Sequence, residues 1–230
     1  MHVWRLIPMF PDRPDLLRRL ALSGSLALAV CAAALVVPST TGRAQAATGE
    51  AQKIATHFTR IRTMMGEFVQ FGPRGEQTGG KFYIERPGKI RFNYEAPAAV
   101  QVIADGESVV INNKKLKTWD LYPLSKTPLK LLLDDNIDLS GEKVRKVQQN
   151  EDLTTIQLQD KSVFGDSTIT MMFDPKSYEL RQWTITDAQG KDTTVMIFNV
   201  EQGVTFDPSV FAIDYQHISR HGARGHTSGR

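Results

Sequence analysis

Along most of the chain, apolar and polar residues alternate one for one. The clearest run is Ile90-Arg91-Phe92-Asn93-Tyr94-Glu95, and similar runs follow at Val100–Ala104, Val109–Asn112, Leu116–Leu121, Lys143–Gln148, Leu153–Gln159, Thr168–Phe173, Leu180–Thr186 and Thr193–Val200. Successive strand residues point to opposite faces, so each run predicts a strand with one dry face and one wet face. With two more strands between Gly66 and Pro87, about eleven are expected. Turn sequences separate them, among them Asp105-Gly106, Asn112-Asn113, Asp174-Pro175 and Asp187-Ala188-Gln189-Gly190. Each is short enough to join antiparallel neighbours, and the whole reads as a long meander.

Two segments break the alternation. Over Glu50–Met65, the residues Ile54, Phe58, Ile61 and Met65 recur at helical spacing, which predicts an amphipathic helix. Over Ser125–Asp135, Thr127 is placed to cap and Pro128 to open a short helix containing Leu129, Leu131, Leu132 and Leu133. A curved antiparallel sheet of this length buries its inner face by closing into a barrel or by being covered. The two helical stripes are small against so many inner faces, which points to a cavity beneath them.

The ends read differently from the body. Arginines at 13, 18 and 19, the apolar stretch Leu20–Val37 and Ala44-Gln45-Ala46 have the order of a secretory signal peptide, cut after Ala46. An uncleaved anchor is the alternative, weakened by Ser23, Gly24 and Ser25. The pair Arg18-Arg19 leaves Sec and twin-arginine export both open. Residues 216–230, rich in His, Arg, Gly and Ser, lack periodicity and predict a disordered basic tail. Three parts result: a signal peptide over 1–46, one domain over 47–215, and the tail.

With 41% apolar and 23% charged residues, the 230-residue chain has a globular balance. Its net charge of +3 resides in the ends: residues 47–215 carry an excess of three acidic groups. That speaks against a nucleic-acid surface, which needs clustered cations on the folded domain. The single cysteine, Cys31, falls in the signal segment, so the processed chain has no disulfide, thiol nucleophile or cysteine metal site.

The chain contains no nucleophile elbow, P-loop, dinucleotide fingerprint or metalloprotease helix. His57 lies on the first helix and His217, His221 and His226 in the tail, without acidic partners close in sequence to build a metal site. No enzyme activity, cofactor or metal is expected. Met64, Met65, Met171, Met172 and Met196 are either gap-fillers of an ordinary core or adaptable walls for a variable apolar ligand.

The stretch Gly80–Pro97, GKFYIERPGKIRFNYEAP, resembles the signature of the periplasmic lipoprotein-carrier family, LolA. The resemblance continues through Ile103-Ala104-Asp105-Gly106, Leu116–Leu133 and Val204–Ile213, covering Glu50–Tyr215. It implies a mainly β protein: an incomplete, half-open antiparallel β-barrel with a lid of short α-helices over a hydrophobic cavity. The implied function is a periplasmic chaperone that carries lipoproteins by their acyl chains from the inner to the outer membrane. Implied partners are an inner-membrane ABC-type exporter, which loads the cargo, and an outer-membrane acceptor lipoprotein or the membrane itself, which receives it. A monomer is expected. A lipid-binding sensor or regulator of the same fold, a general lipid shuttle and an envelope hydrolase are the alternatives.

The residues expected to form the acyl cavity and lid are Ile54, Phe58, Ile61, Met65, Ile90, Phe92, Tyr94, Val100, Val102, Leu129, Leu132, Met171 and Phe173. The family's lid-latching arginine corresponds to Arg86. Parity supports an inward direction for it: 86, 90, 92 and 94 share a face if the strand runs unbroken through Pro87. A guanidinium on an apolar face needs oxygen partners, which lid loops could supply. The alternative is an arginine reaching solvent past Pro87.

Overall fold

The computed structural model describes residues 41–137, 139, 143–162 and 165–221, with backbone alone for 41–48, 50, 160–162, 165 and 221. The predicted leader up to residue 40 and the tail beyond 221 lie outside the described residues.

Alternation produces the expected strands. They are β1 (Thr63–Phe71), β2 (Gln77–Glu85), β3 (Lys89–Tyr94), β4 (Val100–Asp105), β5 (Ser108–Asn113), β6 (Thr118–Pro123), β7 (Val144–Gln149), β8 (Thr154–Ser162), β9 (Gly165–Phe173), β10 (Leu180–Thr186) and β11 (Asp192–Gln202). All pair antiparallel in one sheet, ordered β6-β5-β4-β3-β2-β1-β11-β10-β9-β8-β7. The first and last strands therefore meet in the middle, and the edges are β6 and β7, which are consecutive in sequence. The sheet is open and is not a closed β-barrel. Between those edges the chain leaves the ladder to form α2 (Leu129–Leu133).

The concave face collects the apolar parity of every strand: Phe68, Phe82, Ile84, Ile90, Phe92, Ile156, Ile169, Met171, Phe173 and Trp183 are all buried. Helix α1 (Thr41–Arg60) lies on this face with Ala51, Ile54, Ala55 and Phe58 inward, spaced as one helical stripe. Phe58 meets Phe173 edge-to-face, centroids 5.3 Å apart. From α2, Leu131, Leu132 and Leu133 join the same core.

Three expectations change here. Helix α1 starts earlier than Glu50 and ends at Arg60, where the Ile61 N–H bonds to the Phe58 carbonyl in a tightened last turn. Met65 therefore belongs to β1, not to the helix. Once the period switches to two, Met64 turns inward, 2% exposed, and Met65 sits opposite Tyr83 on the convex side. Helix α2 starts one residue later than expected, capped at Pro128; the buried Thr127 hydroxyl donates instead to the Leu124 carbonyl at 2.9 Å.

The last change concerns the chain's end. Residues expected to lack structure from Gln216 form part of α3 (Tyr215–His221). Ile218 packs with Ile103 and Val110 beside Trp119, Leu121 and Ile213, a second apolar cluster on the convex face. Its single isoleucine gives too little period to read in sequence, yet one apolar contact on a prepared patch suffices to seat a short helix. Nearby, the Tyr215 hydroxyl donates to Asp105 at 2.6 Å and the His217 ring meets Trp119 edge-on.

Candidate functional site: a lidded apolar cavity and a buried arginine

The concave face is not filled evenly. Beneath α1, Ile54 and Phe58 are fully buried, and a polar-rimmed void of about 90 Å³ opens beside Phe58, Ile61 and Met64 toward Glu179 and Arg181. The α1 stripe does not line the more apolar void: Ile54 and Phe58 pack into the core. The void lies at the other end, a cavity of about 120 Å³ bounded by Phe92, Tyr94, Val102, Val109, Ile111, Tyr122, Trp183, Ile185 and Val195, with Thr127, Pro128 and Leu129 leading into α2 as one wall. Gln70, Pro73, Asp187 and Lys191, at or beside the β1–β2 and β10–β11 turns, make its rim.

Of the residues expected to bind, Phe92, Tyr94, Val102 and Leu129 line this cavity. Ile54, Phe58, Ile90, Leu132, Met171 and Phe173 are in the packed core, and Ile61 is half-buried against it. Val100 opens β4 half-buried, away from the cavity lining, and Met65 is on the convex side as described. Val109, Ile111, Trp183, Ile185 and Val195 were missed. The parity of Trp183 and Ile185 was legible, because both alternate with polar neighbours, whereas Val109, Ile111 and Val195 each adjoin another apolar residue; and parity does not say which end of a face stays empty.

Two phenols sit in the wall. Tyr94 donates to Gln70 Oε1 at 2.6 Å, and burial pushes its phenol well above the ordinary range, with the Gln70 bond pulling back. Burial, with Asp120 nearby, pushes the Tyr122 phenol up to about 12. Both stay neutral at physiological pH, which keeps the wall uncharged. Among the described residues no three His, Cys, Asp or Glu side chains converge as a metal would need, and no helix is long and apolar enough to cross a membrane.

Arg86 is buried, 2% exposed, although β2 ends at Glu85 and the chain turns through Pro87. The solvent-reaching alternative is excluded by that burial. Its Nη1 donates to the Ile61 carbonyl at 2.7 Å and its Nη2 to the Leu132 carbonyl at 3.4 Å, while the guanidinium carbon stands 4.0 Å from the Phe58 ring centre. Arg86 thus joins three parts of the concave layer: the end of α1, the link from α1 to β1, and α2. Burial, then Arg62, lowers its pKa to about 10, so it remains a cation at neutral pH. Nε has no partner. Two carbonyls and a ring face offset the desolvation of the charge without saturating its donors. Beside it the Gly88 N–H donates to the Leu133 carbonyl at 3.1 Å, a second tie on α2.

Comparison with known proteins fits this architecture. The family described as outer membrane lipoprotein carrier protein LolA matches residues 59–214, most of the chain, and the chain belongs to that family. An outer-membrane lipoprotein carrier protein of Methylococcus capsulatus is 26% identical over 181 residues, 73% of this chain and 84% of the relative. One from Chromohalobacter salexigens is 28% identical over 194 residues, 79% of this chain and 89% of the relative. Among solved structures, a LolA superfamily protein from Nitrosomonas europaea overlays with TM-score 0.39 at 12% identity, covering 72% of this chain and 98% of its own.

Proposed function

We propose that the protein is a periplasmic carrier that shelters lipoprotein acyl chains in the cavity beside α2 and moves them from the inner to the outer membrane. The carrying observation is an apolar void whose wall includes the start of a helix held by few polar ties. An engineered apolar void of roughly 150 Å³ takes a molecule the size of benzene. At about 120 Å³ the cavity as it stands is too small for a fatty chain, and moving α2 would enlarge it to admit one.

Magnitudes order the steps. Withdrawing α2 uncovers Leu131, Leu132 and Leu133, which at ~1.5–3 kcal/mol each costs roughly 5–9 kcal/mol if nothing covers them. An acyl chain of about fifteen methylenes loses ~12 kcal/mol in leaving the bilayer for water and regains it in an apolar site. Exchanging bilayer for cavity is therefore near neutral for the chain, and opening the lid makes loading uphill. An ATP-driven exporter at the inner membrane supplies what loading needs, while lid closure favours release at the outer membrane. Arg86 sets the size of this bias. Its 2.7 Å bond to Ile61 is the firm anchor, and the 3.4 Å bond to Leu132 is the one that breaks first.

The test is transfer of a lipidated cargo. Arg86→Leu removes both carbonyl ties and is expected to change the rate at which purified carrier hands cargo to outer-membrane vesicles. Equal rates for variant and parent overturn the latch. If depletion in the native cell leaves outer-membrane lipoproteins arriving on schedule, the carrier reading itself fails.

A further inference from the structure

In the cavity wall one polar side chain is left without a partner. Ser167 is on the concave parity of β9, in line with Ile169, Met171 and Phe173. It is 3% exposed, it lines the cavity, and its Oγ has no hydrogen-bond partner among the described residues. A buried hydroxyl left unsatisfied in a closed protein is costly, and such groups call for an explanation. A polar atom at this spot gives an apolar ligand a fixed point.

Its position in the sheet says which part of a ligand would meet it. Strand β9 pairs with β10 as Ile169 with Ile185 and Thr168 with Thr186, so Ser167 falls one step past the last pair, level with the β10–β11 turn. Thr193, 8% exposed and opposite Ile185, also lines the cavity. Trp183 and Val195 lie further from that turn along the same strands. The cavity is thus graded: apolar at depth, hydroxyl-bearing near the rim, with Lys191 and Asp187 at the mouth.

We infer that Ser167 is a ligand-binding residue whose hydroxyl donates to the ester carbonyl of an acyl chain, seating the chain with its hydrocarbon toward Trp183 and its head group at the β10–β11 rim. This rests on the carrier reading and adds a chemical preference to it: ester-linked acyl lipids over hydrocarbon chains of equal length. A serine hydroxyl can donate to a carbonyl and still accept from another donor, whereas an ether oxygen is a poorer and differently placed acceptor. A neutral hydrogen bond of this kind is worth roughly a factor of ten in affinity.

A matched lipid pair tests it: dipalmitoylglycerol and its dihexadecyl ether analogue, titrated against the purified protein with tryptophan emission as readout. The parent is expected to hold the ester about tenfold more tightly than the ether. Ser167→Ala is expected to bind both with the affinity the parent shows for the ether, and Ser167→Thr to restore the preference. Because the alanine variant loses only an unpaired hydroxyl, its melting temperature should equal or exceed the parent's. A lower melting temperature shows the hydroxyl to be already paired and overturns the inference. Equal binding of ester and ether by the parent, or a preference that survives Ser167→Ala, overturns it and leaves the carrier reading standing. Binding of neither lipid overturns both.

Discussion

Arg86 concentrates the opposing forces in this fold on one side chain. Desolvation disfavours its charge, the Ile61 carbonyl and Phe58 ring hold it, and the contact with Leu132 is long. With its pKa lowered in the folded state, this group favours folding more as pH rises through about 10, the opposite of a paired cation, so it is retained at a cost to stability near neutrality. Phe58 makes the complementary contribution. It is fully buried, meets Phe173 and supports the guanidinium, so Phe58→Ala should lower unfolding free energy by about 3–5 kcal/mol in urea titrations. Gly88 is constrained in another way: at φ +81° with a built Cβ only 2.8 Å from the Gly106 Cα, it has no room for a side chain. Gly88→Ala should weaken the tie to Leu133, seen as faster amide exchange through α2 than in the parent.

Among the elements, α2 and α3 are the two short helices, and they dock differently. α2 buries three consecutive leucines in the concave core but shares its position with a void, which suits movement. α3 rests on the convex face through Ile218 and the bond from Tyr215 to Asp105. Burial raises the Asp105 pKa, but hydrogen bonds from the Ser108 N–H, the Tyr215 hydroxyl and the Glu107 N–H outweigh it and hold it below the ordinary value. A carboxylate with a depressed folded pKa contributes stability above its unfolded pKa near 4 and loses it as pH falls through the folded value. α3 docking should therefore weaken in acid below about pH 4, read by exchange of the amides of 103–110 or by emission of Trp119. Ile218→Asp should release α3 at neutral pH while leaving the strand ladder and the cavity intact.

As a whole, the molecule is one sheet whose two edges are consecutive strands, with the connecting chain used as cover. Here β1 and β11 meet in the middle, so the sheet's two edges are β6 and β7. Beyond residue 46 the tryptophans are Trp119 and Trp183, one on the convex face and one in the cavity wall. A Trp119→Phe protein made as residues 47–230 then reports from Trp183 alone. Its emission should be quenched by an acyl chain carrying bromine near its terminal methyl; emission unchanged at saturating lipid would show that chains do not enter this cavity.

The amino-acid sequence by itself determined which side of each strand is apolar, because period-two alternation depends only on the direction of successive Cβ atoms. It also determined that the chain carries a lipoprotein-carrier signature at Gly80–Pro97, whereas the parity reading of Arg86 needed a strand unbroken through Pro87, and β2 ends at Glu85. Those are local properties. Tertiary structure alone decided where the apolar surface stays unfilled. α1 and the void draw on the same inward parity, and the outcome turns on how far a helix of given length reaches along a curved sheet. Tertiary structure also decided the choice between Met64 and Met65, because one residue of helix end reverses every side chain after it. The hydroxyl of Ser167 was unreadable for a related reason: a serine on an apolar face is unremarkable until its neighbours fail to offer it a partner.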